Sequence, residues 1–268
     1  MQTLGKLYRV FLVVLVCLFL SVAVTHAQES GGLYDSVQVS ELDAEFAIEW
    51  REAVYDRIQA DGINAPAAAR LYGYASVTLY ESLLPGMPDN NTLIGQISSL
   101  TDLPWPTEDA IHDWPAVADA AMSTVMSGLF AASADSVQAF SDLREANLAE
   151  REAATSAEVV ERSAAFGDTM GAALLEWISE DGFADRVTEY TPTDDPSTWV
   201  ITREGMVAVE PGWGSIRPLV LESADVCDVQ NDVPFSTDEN SVFYAQALEV
   251  MNVGNNLTDE QRLIAEYW

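Results

Sequence analysis

Apolar residues recur at helical spacing along most of the chain, and seven stretches read as helices. Over 41–60, Phe46, Trp50, Ala53, Val54 and Ile58 fall on one face, with Glu and Arg opposite. This is the 3.6-residue stripe of a helix lying on a core. Pro66 opens a second helix as an N1 proline, and its pattern runs over 67–84 through Arg70, Tyr74, Val77 and Glu81 to Pro85-Gly86. Ala68, Ala69, Gly73 and Ala75 leave room there for another helix to approach closely. Pro115 starts a third helix, 116–130, rich in Ala and Met. Ser133 or Asp135 caps a fourth, which runs to about residue 151 with a strongly charged outer face. A fifth, 156–179, buries a stripe of Val159, Phe166, Met170, Leu174 and Trp177, while Gly167 and Gly171 form a groove for close packing. A sixth covers 241–253 and ends at Gly254. The seventh begins at 257: Thr258 is its N-cap, Gln261 completes a capping box, and Leu263, Ile264 and Tyr267 repeat at helical spacing. No helix-ending Gly, Asn or Pro follows, so the pattern predicts a chain cut short at Trp268.

Two stretches break the periodicity. Residues 85–114 carry Pro85, Pro88, Pro104 and Pro106. Residues 181–236 carry nine Gly and Pro positions from Gly182 to Pro234, the mark of a long irregular segment that wraps a bundle. The fold expected is all-α: a helical bundle of six or seven helices with a long wrapping segment. It occupies 41–268, behind a polar tether at 28–40.

The N-terminus changes the picture of where the chain works. Lys6 and Arg9 precede an apolar run from Val10 to Leu20, and Thr25-His26-Ala27 supplies a small-residue cleavage site. This is a secretory signal peptide over 1–27, which implies a secreted or periplasmic protein. No later segment is apolar enough to span a bilayer. The formal charge is −31, and no lysine follows Lys6. Such a chain repels phosphates, so nucleic acid is excluded as a partner. The scattered acids read as solvated helix faces, and the missing lysines favour adaptation to high salt over a merely acidic secreted protein. Cys227 is the only cysteine after Ala27, so no internal disulfide forms, and a buried thiol is expected there.

Candidate chemistry is sparse. His112, the single histidine after the signal, sits in a loop rich in Pro and Trp and reads as a packing residue. One histidine supports neither a His-based triad nor a multi-His metal site. Glu176, Glu180 and Asp181 share a helix end, but in a chain with 43 acids such spacing is common. Facing glycosidase carboxylates would need a cleft. Arg217, in Gly214-Ser215-Ile216-Arg217-Pro218, either binds an oxyanion or anchors the wrapping segment to a helix carboxylate, the structural role being favoured. No catalytic, cofactor-binding or metal-binding residue is assigned.

The order of several short stretches is nevertheless distinctive. Trp50 is followed by Ala67-Ala68-Ala69-Arg70-Leu71-Tyr72-Gly73-Tyr74-Ala75 and Tyr80-Glu81, then Phe166-Gly167-Asp168-Thr169-Met170-Gly171 and Trp177…Asp181-Gly182. After these come Tyr190-Thr191-Pro192, Trp199, Pro211-Gly212-Trp213-Gly214…Arg217-Pro218-Leu219 and the helix ending Ala265-Glu266-Tyr267-Trp268. In this order the chain resembles the N-terminal helical part of proteins related to vanadium-dependent haloperoxidases, within the type-2 phosphatidic acid phosphatase superfamily. The resemblance implies an incomplete haloperoxidase- or acid-phosphatase-like fold. It also implies a parent enzyme that oxidises halide with peroxide on bound vanadate, or hydrolyses phosphoesters at the same oxyanion site. In that family the oxyanion is held by a Lys-x6-Arg-Pro motif, a Pro-Ser-Gly-His segment and a final Ser-Arg-x5-His. In this chain Glu210 stands seven residues before Arg217, and no Ser-Gly-His occurs. No catalytic residue is therefore carried over. The chain alone is expected to be inactive, its principal partner being the missing C-terminal half of its own domain, and a homo-oligomer is compatible with it. The competing expectation is a complete, non-catalytic secreted module that binds a partner.

Overall fold

A computed structural model describes residues 32–186, 189–229 and 232–268; the expected signal peptide and the first part of the tether lie outside them. Among the described residues the chain is all-helical, with seven α-helices and no strand. They are α1 (Glu45–Ala60), α2 (Ala65–Leu83), α3 (Trp114–Leu129), α4 (Ala134–Ala154), α5 (Ala157–Ser179), α6 (Val242–Asn255) and α7 (Asp259–Tyr267). The chain divides into two compact units, Met1–Arg186 with Ser215–Leu221, and Val187–Gly214 with Glu222–Trp268.

Helix α3 is the axis of the first unit and packs against α1, α2, α4 and α5. Its residues from Trp114 to Ser123 are buried without a break. A helix that is apolar all round belongs inside a core and not on its surface, and the Ala-rich composition lets its neighbours come close. Gly167 and Gly171 show how close. A Cβ on Gly167 would collide with the Val117 carbonyl, and one on Gly171 would lie 2.8 Å from Thr124 Cβ. The groove expected on α5 is thus the seat of α3. Gly73 differs from expectation. The atom nearest to a Cβ there is Leu219 Cδ1, at 3.0 Å, so a side chain of the irregular segment fills that space and not a helix.

The main core gathers Trp50, Val54 and Ile58 of α1, Leu71 and Tyr74 of α2, Met122 and Met126 of α3, Phe140 of α4, and Met170, Leu174 and Trp177 of α5. Each helix start has a specific cause. Asn64, Asp113, Ser133 and Ser156 accept from the backbone N–H three residues on, the N-cap bond that satisfies an otherwise orphaned donor. These caps start α2 and α3 one residue ahead of the prolines that marked them, so Pro66 and Pro115 take the second helical position and not the first. Helix α1 starts at Glu45 because Val39–Glu41 forms a separate 3-10 turn and Asp43 accepts from the Glu45 N–H.

The 85–114 connection is irregular yet tied down. Buried Glu81 accepts from Thr92 Oγ1 and from the Leu93 N–H. Ser98 is held by its backbone N–H donating to Leu219 O and its carbonyl accepting from Trp177 Nε1. In the second unit, α6 and α7 have no buried residue. Ser241 caps α6, and Thr258 and Gln261 form the reciprocal capping box expected of α7. Tyr190 packs edge-on against Trp199 and donates its hydroxyl to the Trp199 carbonyl.

Candidate functional site

The densest polar constellation lies at the C-terminal end of α5. Asp181 follows that helix, and Gly182, at φ +86°, turns the chain back so that the Phe183 N–H donates to Asp181 Oδ1 at 2.9 Å. Arg70 and Tyr74, one turn apart on α2, both donate to Asp181 Oδ2, at 2.5 and 2.8 Å. The Asp181 side chain is 1% exposed and that of Arg70 10%. Burial acts to raise the Asp181 carboxyl, but the Arg70 guanidinium, the Phe183 N–H and Tyr74 outweigh it and hold the group below the usual carboxylate range. Tyr74 is pushed up to about 12, first by burial and then by donating to a carboxylate. The Arg70 guanidinium also lies over the Phe183 ring at 4.2 Å.

Arg217 joins the same end of the bundle, by a route other than the one expected. It reaches no helix carboxylate. Its backbone N–H donates to the Asp181 carbonyl at 2.8 Å, and its Nη2 donates to the Trp177 carbonyl at 2.8 Å, with the guanidinium 4.8 Å from the Trp177 ring. Free carbonyls at a helix C-terminus are natural partners for a cation. The structural role favoured for Arg217 is the one found, with a carbonyl in place of the carboxylate.

A second buried acid lies between α1, α3 and α4. Asp119 is fully buried; its Oδ1 accepts from Trp50 Nε1 at 2.6 Å and Asn147 Nδ2 at 3.0 Å, while Oδ2 has no partner. Burial pushes its carboxyl up to about 6 against the pull of those two donors. It borders a cavity of about 340 Å³ that also meets Glu45, Glu49 and Arg151. Sequence reasoning missed Asp119. Its only signal is an acid in the middle of an otherwise apolar helix, at Ala118-Asp119-Ala120.

The remaining candidates separate. Glu176 and Glu180 are exposed, whereas Asp181 is buried. His112 is a buried packing residue, as expected, with its ring 5.5 Å from Trp114 and 5.6 Å from Phe166; burial, and then Arg162, hold its pKa below the ordinary value. Cys227 is exposed instead of buried, because the segment around it contributes no side chain to a core.

The arginines that tie the helices of the first unit together are already engaged and form no vanadate or phosphate site among themselves. An oxyanion site needs several converging cations with free donors. Arg70, Arg144 and Arg151 each already face a carboxylate, of Asp181, Asp168 and Asp113. Arg162 donates to the Ile111 carbonyl, and no lysine follows Lys6. Among the described residues no group of three or more His, Cys, Asp or Glu is placed to hold a metal ion, and no helix is long and apolar enough to cross a membrane.

The chain matches no protein-family model and no curated protein. It is similar to a solved crystal structure, that of a bacterial vanadium-dependent iodoperoxidase, with a TM-score of 0.70 and 27% sequence identity. The match covers 81% of this chain and 52% of that one, so the chain spans about half the length of this relative. In its all-helical fold, and at that level of sequence, the chain is thus related to the vanadium-dependent haloperoxidases.

Proposed function

We propose that this chain supplies the first helical part of an exported haloperoxidase-like or phosphatase-like enzyme, whose oxyanion-binding residues belong to a C-terminal half beyond Trp268. The observation that carries this reading is the match itself: most of this chain aligns with half of an iodoperoxidase. The full enzyme would use peroxide to oxidise a halide, iodide among them, with vanadate supplying the peroxide-activating centre. Phosphoester hydrolysis at the same kind of oxyanion site is the neighbouring chemistry. The part played by these residues is architectural. Asp181, Arg70 and Tyr74 lock the end of α5 to α2, and Arg144, Arg151 and Arg217 are engaged in similar ties. The exposed apolar residues of α6 and α7, including Leu248, Met251, Leu263 and Ile264, support a remainder of the fold that would cover them. Residues 1–27 would direct export, and the charge of −31 would suit a saline medium.

The test is a pair of proteins. Purified 28–268 is mixed with orthovanadate, hydrogen peroxide and iodide, and triiodide formation is followed by absorbance. Vanadate binding is followed separately by vanadium NMR. Neither activity nor binding is expected from 28–268, and both are expected from the product of the extended reading frame. Turnover by 28–268 alone would defeat the proposal. An extended product that releases phosphate from an aryl phosphate and leaves iodide untouched would move the assignment to the phosphatases. An immediate stop codon after Trp268 would favour a non-catalytic binding module.

A further inference from the structure

A cleft of about 540 Å³ lies in the first unit, away from the Asp181 node, between the 3-10 turns near the N-terminus and the start of the 85–114 connection. That volume is within the range of pockets that take small ligands. None of its lining residues is charged, although acids outnumber bases by 43 to 12 in this chain. Such a lining holds no counter-charge for an ionic ligand. Leu84 and Met87 supply apolar wall, and Gln38, Asn90 and Asn91 bring three primary amides. These three residues are exposed, and their side chains make no hydrogen bond among the described residues. Each amide offers two donors and an acceptor.

Trp105 also lines the cleft, and it is 58% exposed. It stands between Pro104 and Pro106. The two prolines restrict the backbone on either side of it, so less freedom is lost when a ligand meets the indole. The face of an indole is negative and attracts C–H groups that carry partial positive charge. A pyranose ring has the surfaces that match: faces of C–H groups, and a rim of hydroxyls that each donate and accept. We propose that this cleft binds a neutral sugar, with a C–H face of the ring against Trp105 and hydroxyls on the amides of Gln38, Asn90 and Asn91. Acidic sugars gain no partner for their carboxylate in this lining and are repelled by a chain of charge −31. The inference is independent of the haloperoxidase reading and would hold in a non-catalytic module as well.

The test titrates purified 28–268 with maltose, cellobiose and lactose, and with cyclohexanol, which has a ring of the same size but a single hydroxyl. Binding is read by tryptophan fluorescence and by saturation-transfer NMR. At least one of the disaccharides should bind about fivefold or more tightly than cyclohexanol, the worth of one net hydrogen bond or better. Trp105→Ala should weaken that sugar about tenfold. Gln38→Ala and Asn91→Ala should each weaken it about fivefold. Trp268→Ala, which removes an indole 94% exposed in the second unit, should leave binding unchanged. Failure of all three disaccharides to bind overturns the proposal. So does sugar binding no tighter than that of cyclohexanol, or binding that Trp105→Ala leaves intact. If Trp105→Ala does not fold, Gln38→Ala and Asn91→Ala decide the matter, and unaltered binding in both overturns it.

Discussion

Two acids, Asp181 and Asp119, show how position decides what a carboxylate does. Asp181 is ionised and fully partnered. Removing its guanidinium by Arg70→Met leaves a buried charge with only a phenol and an N–H, which should cost about 3 kcal/mol or more in a urea unfolding titration. Because the folded state holds Asp181 below its usual range, its contribution is present above the unfolded pKa and is lost as pH falls through the folded value. Asp181→Asn should therefore flatten the acid end of the stability curve. Asp119 has the opposite sign. Its folded pKa of about 6 lies above the unfolded value near 3.8, so folding favours the protonated form. The penalty is absent below the lower value and complete above the higher one, about 2–3 kcal/mol in all. Asp119→Asn has no charge to bury, so its stability relative to the parent should rise by that amount between about pH 4 and pH 7. A relative stability independent of pH would refute this. Neither role was legible in the sequence. Asp181 appeared there as one of three acids at a helix end and Asp119 went unnoticed, because pKa depends on the surroundings and these come from helices far apart in the chain.

Among the helices, existence and most boundaries were readable, because caps and periodicity are local. Thr258 with Gln261, Ser241 and Ser133 act within a few residues of themselves, as does Gly62, whose φ of +62° lies just past the end of α1. What the local pattern leaves open is the neighbour. Gly167 announces close packing, but only the fold shows that Val117 and Ala120 of α3 are what it touches. Gly167→Ala should push α5 off α3 and destabilise the bundle by about 1–3 kcal/mol, as overpacked cores do. Gly254 in α6 has nothing within 4 Å of a built Cβ. Gly254→Ala should be neutral or stabilise by up to about 1 kcal/mol, through helix propensity alone. Thermal melts of the two variants side by side test the contrast, and equal losses would contradict the packing account. Arg217 teaches the same lesson. Its type and its Pro neighbour suggested an anchor, but a helix-end carbonyl competes with a carboxylate for a guanidinium, and only the fold shows which is nearer.

For the protein as a body in solution, charge and exposed apolar surface set behaviour. A formal charge of −31 repels itself, and salt screens that repulsion. The melting temperature of 28–268 should rise between about 0.1 M and 2 M potassium chloride, most steeply at the low end where the Debye length changes most. A melting temperature unmoved by salt would remove the case for a saline habitat. Helices α6 and α7 bury no residue, with Tyr267 81% and Trp268 94% exposed. The chain should therefore bind a hydrophobic dye in its native state. A shortened chain ending at residue 221 should bind less, as read by dye fluorescence at equal concentration. The all-helical class, the helix boundaries to within a few residues and the acidic surface were already written in the order of the amino acids. These follow from periodicity, caps and composition, all of which act over a few residues or over none. Folding was needed to settle which helix became the axis, which of 43 acids lost their water, and where Trp114 was left with an unpaired N–H. Each of those depends on contacts between residues far apart in the chain, and burial is a property of the assembled bundle.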